Sequence, residues 1–132
     1  MLFDRFPVEY QMDSQDCGPA SLKIIAKYFR KYYSLQFLRD KCGITKEGVS
    51  LLDISTGAES IGLRTLAIKC TIDDVVNTVP LPAIVFWKDS HFIVVYKTDK
   101  KHVWVSDPAK GKIKYTHEGF RKGWYQKEEK RG

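Results

Sequence analysis

Asp16-Cys17-Gly18-Pro19-Ala20-Ser21-Leu22-Lys23-Ile24-Ile25-Ala26-Lys27-Tyr28-Phe29 is the stretch on which the reading of this chain turns. From Cys17 to about Tyr33, Leu22, Ile25, Ala26, Phe29 and Tyr32 recur at helical spacing. Asp16 stands where an N-cap is expected, Gly18 gives the thiol an uncrowded neighbour, and Pro19 falls in the first turn, where no N–H is needed. The segment therefore predicts a helix that begins on a cysteine. Outward from it, Ser34 caps a short helix to about Cys42, stopped by Gly43, and Ser50 opens another that ends near Ile61-Gly62. After Gly62 the pattern changes to short β-rich runs at Arg64–Lys69, Ala83–Trp87, His91–Lys97, Val103–Ser106 and Lys112–Tyr115, separated by turn signals. Helices first and an antiparallel sheet second give an α+β domain whose active site is expected where the halves meet.

A chain of 132 residues suits one compact domain. With 43% hydrophobic and 29% charged residues, the composition is that of an ordinary globular protein. The longest apolar stretch, Val79 to Trp87, contains Pro80 and Pro82 and is far short of the roughly 20 residues a membrane-spanning helix needs. Asp4 and Arg5 occupy the place of a signal peptide's apolar region. No GxxxxGK[ST] loop occurs, and His117-Glu118 lacks the second histidine of a HExxH zinc helix.

The net charge of +6 lies wholly in residues 97–132, which hold 11 basic and 5 acidic side chains. Basic residues interleaved with Trp124 and Tyr125 suit nucleic acid, anionic lipid or plain solvation, and solvation is the first reading. Cys17, Cys42 and Cys70 form no CxxC pair and are odd in number, which speaks against a disulfide framework or a zinc site.

A thiol at a helix N-terminus is favoured as thiolate by free N–H groups and the helix dipole, which is what a nucleophile at neutral pH requires. A small buried cysteine under a helix is the competing reading of Cys17. Of the three histidines, His91 opens an apolar strand and is the best-placed base, while His102 and His117 lie in charged, surface-like segments. If the strands from His91 and Val103 form a hairpin, paired residue numbers sum to about 198–201. That arithmetic brings Asp107 close to His91, as an orienting carboxylate, an Asp-Pro turn starter, or both. Gln11, with Gln15 as the alternative, is the candidate amide donor for a tetrahedral oxyanion.

Gln11-Met12-Asp13-Ser14-Gln15-Asp16-Cys17-Gly18-Pro19-Ala20-Ser21-Leu22 resembles the nucleophile motif of the double-glycine leader peptidases, papain-like domains at the front of bacterial peptide-exporting ABC transporters. The resemblance runs on through Gly48-Val49-Ser50, Gly62-Leu63, His91-Phe92-Ile93-Val94 and Asp107-Pro108-Ala109-Lys110-Gly111. It implies a papain-like α+β fold, with the N-terminal helical half packed on a C-terminal antiparallel sheet. It also implies Cys17 as nucleophile, His91 as general acid/base, Asp107 as orienter and Gln11 in the oxyanion hole. Cys42 and Cys70 match no catalytic element of that pattern and are read as structural thiols.

The expected activity is removal of a leader from a peptide precursor after a Gly-Gly pair. A leader-docking module that does not cleave, or an acyltransferase or transglutaminase-like enzyme with the same triad, are the alternatives. Residues 1–132 are expected to form one peptidase domain at the N-terminal end of a longer transporter, on the cytoplasmic face of the bacterial inner membrane. Arg121, Lys122, Lys127, Lys130 and Arg131 are placed as residues just before a membrane span would be. Partners would be the precursor peptide and the transporter's membrane and nucleotide-binding domains, not nucleic acid. No cofactor or metal is expected in this domain, and ATP only in the separate nucleotide-binding domain.

Overall fold

The computed structural model describes residues 5–12, 15–44, 49–66, 71–87 and 91–123. Three helices come first: α1 (Cys17–Tyr28), α2 (Leu35–Cys42) and α3 (Leu51–Ser60). A short α4 (Ile72–Asn77) leads to β1 (Ala83–Trp87), β2 (His91–Thr98), β3 (His102–Asp107) and β4 (Gly111–Thr116), and residues 117–123 are again helical. The strands form one antiparallel sheet in the order β1-β2-β3-β4. Among the described residues, no helix is long and apolar enough to cross a membrane.

Local chemistry sets the helix boundaries. Ser34 accepts a hydrogen bond from the Phe37 N–H at 3.1 Å, and Gly43 at φ 67° ends α2 in the left-handed region glycine tolerates. Ser50 and Asp53 form a reciprocal capping box on α3, as Thr71 and Asp74 do on α4. α1 ends at Tyr28, short of the expected Tyr33. The Lys31 N–H reaches back to the Ala26 carbonyl and the Arg30 N–H to that of Lys27, with Arg30 at φ 63°. This is a Schellman closure with arginine in the usual glycine place, and it leaves Tyr32 exposed instead of on a helix face.

α1 is the central element. Its Leu22 and Ala26 pack with Leu38, Cys42, Ala58 and Ile61 of the helical half. Ile24 and Ile25 pack with Val94 of β2, and Cys17 itself packs with Ile54 and Phe92. Each fully buried leucine or isoleucine in that interlock contributes roughly 1.5–3 kcal/mol of transfer free energy. A second cluster, built from Val85, Trp87, Ile93, Val95, Val103, Val105 and Phe120, joins the sheet to α4 and the terminal helical turns. The C-terminal half is therefore not purely sheet. Of the expected strand at Arg64–Lys69, Arg64–Leu66 are not extended in a sheet, and residues 67–69 lie outside the described residues.

Candidate active site

Cys17 begins α1 and His91 begins β2, so both reach the junction of the two halves from element ends. The Ser21 hydroxyl, one turn along α1, donates to the Phe92 carbonyl at 3.2 Å and fixes the helix against the strand beside His91. The β2–β3 hairpin pairs Val94 with Ser106 and Val95 with Val105, then shifts by one at a bulge between Val95 and Lys97. The pairing sums are thus 200 and 201, inside the expected range, and Asp107 arrives beside His91.

The His91 Nε2 lies 2.6 Å from Asp107 Oδ1, and the ring also hydrogen-bonds the Cys17 thiol, to which Nδ1 is left. Asp107 Oδ1 additionally accepts the Ala109 N–H at 2.8 Å. Asp107 is thus both the His91 partner and the starter of an Asp-Pro turn. The Asp107 hydrogen bond, followed by that to Cys17, raises the His91 pKa to about 9 against the opposing effect of burial. Burial penalises the Cys17 thiolate, but hydrogen bonds from His91 and from the backbone of Phe92 and Gly18 outweigh it, so the thiol lies below its usual pKa. The Asp107 carboxyl lies below the usual value for the same kind of reason: burial opposes it, and His91 and the Ala109 N–H overcome it.

Gln11 sits on the extended segment that crosses the turn after β3, where its N–H donates to the Pro108 carbonyl at 2.9 Å and its side-chain Oε1 is buried. Gln15 is exposed. His102 and His117 cluster at the far end of the hairpin around Asp99, with His117 Nε2 2.8 Å from the Asp99 carbonyl. Cys42 is buried among the helices, and burial together with the nearby Asp53 pushes its thiol to about 11. Cys70 lies outside the described residues, as do Gly48, Trp124, Tyr125, Lys127, Lys130 and Arg131.

Two local expectations are corrected. Asp16 precedes α1 but makes no side-chain cap bond to it. Its carboxylate instead accepts the Met12 N–H at 3.2 Å and an ion pair from Arg39 of α2, a pairing across the fold that the local pattern does not signal. Gly18 does not leave open space beside the thiol. A Cβ there would stand 2.5 Å from Val49 Cγ2 and 3.0 Å from Ile54 Cδ1, so glycine is what lets α3 approach α1. Gly18→Ala is accordingly expected to cost about 1–3 kcal/mol, read as a lower urea midpoint with an unchanged slope.

Helices followed by an antiparallel meander, with a thiol at their junction beside an imidazole, define a papain-like cysteine peptidase. Residues 5–127 match the Peptidase C39 family, and the chain belongs to that family. It is 35% identical over 120 residues to the lactococcin-G-processing and transport ATP-binding protein LagD of Lactococcus lactis subsp. lactis, covering 87% of this chain and 17% of the relative. It is also 35% identical to the transport/processing ATP-binding protein ComA of Streptococcus pneumoniae, covering 94% of this chain and 18% of that one. The chain thus spans under a fifth of the length of these relatives.

Among solved structures, a double glycine motif protease from an AMS/PCAT transporter, in complex with the leader peptide, aligns with a TM-score of 0.86 at 30% identity. That alignment covers 89% of this chain and 84% of the other. The peptidase domain of Streptococcus ComA, a bi-functional ABC transporter of a quorum sensing pathway, aligns with a TM-score of 0.84 at 28% identity, covering 91% and 93%.

Proposed function

We propose that this chain cleaves a peptide precursor after a Gly-Gly pair, with Cys17 as nucleophile, His91 as general acid/base, Asp107 as orienter and Gln11 as oxyanion donor. The observation that carries the reading is the hydrogen-bonded chain from the Cys17 thiol through the His91 ring to the buried Asp107 carboxylate, in a member of a peptidase family. The lowered Cys17 and raised His91 support a thiolate–imidazolium pair before substrate arrives.

The sulfur attacks the glycyl carbonyl, and the Gln11 amide with the Cys17 N–H holds the oxygen that becomes negative. His91 gives its proton to the leaving amine as the acyl-enzyme forms. It then takes a proton from the water that releases the leader. A subsite too narrow for any Cβ would account for the selection of Gly-Gly. The names of the relatives support a place within a processing and transport protein. The reading puts the domain at the N-terminal end of that transporter, on the cytoplasmic face of a bacterial membrane, with the transporter's other domains as partners.

The direct test is mass spectrometry of a synthetic precursor carrying an amphipathic leader that ends in Gly-Gly, beside the same peptide with Ala-Ala. One cut after the second glycine and none in the Ala-Ala peptide is the expected result; an intact Gly-Gly peptide sinks the reading. Gln11→Ala is expected to lower the rate about 10²–10³-fold, as loss of other oxyanion donors does. Gln15→Ala is expected to change little, and the reverse ranking in a stopped-time cleavage assay would give the donor role to Gln15.

A further inference from the structure

Two consecutive backbone amides hold the segment that carries Gln11. The Gln11 N–H donates to the Pro108 carbonyl at 2.9 Å, and the next N–H, that of Met12, donates to Asp16 Oδ2 at 3.2 Å. The other oxygen of the Asp16 side chain takes Arg39 Nη1 from α2. Asp16 is only 1% exposed. A carboxylate withdrawn from water is costly unless its oxygens are engaged, and here donors come to them from two different parts of the fold. The Asp16 backbone has a separate task, because its carbonyl accepts the Ala20 N–H at 2.8 Å and forms the first rung of the Cys17 helix. One residue therefore touches both sides of the proposed oxyanion hole: the helix start through its backbone, the Gln11 segment through its side chain.

We infer that Asp16, clamped by Arg39, is a positioning residue that sets the placement of the Gln11 amide relative to the Cys17 N–H. The inference rests on the proposed roles of Cys17 and Gln11 in peptide cleavage. Oxyanion donors act only when held within about half an ångström of the position that puts them roughly 2.7–3.1 Å from the developing charge, so a loosened Met12 anchor weakens Gln11 without touching the thiol. The sulfur's own reactivity can be read separately. Alkylation by iodoacetamide forms an S–C bond and expels iodide, a displacement that builds no oxyanion and does not use Gln11.

The experiment measures kcat and KM on a Gly-Gly leader peptide for the unchanged protein, Asp16→Ala, Gln11→Ala and the double variant, with the alkylation rate of Cys17 in each. Asp16→Ala is expected to lower kcat about 10–100-fold, with KM and alkylation within about twofold. In the Gln11→Ala background the same change is expected to cost less than about twofold, because the donor it positions is already gone. An equal loss in both backgrounds, or a parallel fall in alkylation, overturns the inference and leaves the cleavage reading standing. A Gly-Gly peptide left intact by the unchanged protein overturns both. Asp16→Asn, which keeps the volume and one acceptor oxygen, serves if circular dichroism shows Asp16→Ala unfolded. Its expected kcat loss is severalfold, again confined to the protein that has Gln11. Unchanged kcat in Asp16→Asn, or loss of the fold in both variants, makes the carboxylate a folding element and overturns the inference.

Discussion

Cys17→Ala abolishes cleavage of a Gly-Gly leader peptide while circular dichroism and the urea midpoint stay close to those of the unchanged protein. The expectation follows from where the sulfur sits. Cys17 fills a small apolar place beside Ile54 and Phe92, which an alanine methyl occupies with little strain. Among the described residues, the nearest alternatives cannot form the acyl-enzyme: Cys42 is buried in the helical cluster, and Ser21 already donates to the Phe92 carbonyl. The same contrast is read without substrate by alkylation near pH 6.5. Cys17 is 4% exposed and Cys42 3%, so access does not separate them and the thiolate fraction must. With Cys17 below its usual pKa and Cys42 at about 11, Cys17 is expected to take iodoacetamide much the faster of the two. Equal rates in the folded protein would remove the case for an activated nucleophile.

The pH profile of kcat/KM has two limbs with different owners. Below the lowered Cys17 pKa the sulfur takes a proton and attack stops. Above about 9 the His91 ring loses the proton it must give to the leaving amine. The expected curve is a bell whose alkaline side falls near 9 and whose acid side lies below the ordinary thiol range, measured with an uncharged-flank peptide in constant-ionic-strength buffers. An alkaline limb near 6.5, the value of a free imidazole, would mean that Asp107 and Cys17 do not hold the ring charged.

How much of this was legible depends on how local each signal is. Ser34 with Gly43, and Ser50 with Asp53, cap helices through residues a few positions apart, so α2 and α3 are visible in the sequence. Asp107 was reachable because a hairpin converts strand position into register arithmetic, and the bulge after Val95 moves that register by only one. The end of α1 was not legible. Tyr32 keeps the helical spacing, but a left-handed arginine closes the helix first, and nothing in the composition of Arg30 announces it.

Asp16 carried the local signature of an N-cap, yet its carboxylate is spent on Arg39, 23 positions away. The anchoring of the Gln11 segment was equally hidden. It depends on the Pro108 carbonyl and on the Ser106 hydroxyl reaching the Pro7 carbonyl across 99 positions, contacts that exist only once the sheet has formed. The candidate residues were therefore readable by type, and the devices that hold them were not.

Asp107→Asn is expected to lower kcat on the order of 10³–10⁴-fold with KM nearly unchanged, the size seen when an orienting carboxylate is made neutral elsewhere. The carboxylate can only accept, so it keeps the proton of the neutral His91 ring on Nε2 and leaves Nδ1 free to deal with the Cys17 sulfur. An asparagine can turn its NH₂ to Nε2. The neutral ring then carries its proton on Nδ1, pointing at the sulfur it should deprotonate. His91 also loses the largest cause of its raised pKa, so the alkaline limb of the pH profile should move down from about 9 toward 6.5.

Stability should follow the same group. A histidine whose folded pKa is raised stabilises fully below its unfolded pKa near 6.5, and that contribution is lost as pH rises through about 9. The gap in urea midpoint between the unchanged protein and Asp107→Asn is therefore expected to be larger at pH 6 than at pH 10, over and above the constant cost of weakening the Ala109 N–H bond. His102→Ala and His117→Ala, at the far end of the hairpin, should leave cleavage within about twofold. A tolerant Asp107→Asn with an unmoved alkaline limb, or a strong loss from either distal histidine, would show that the His91–Asp107 contact orients nothing in the reaction.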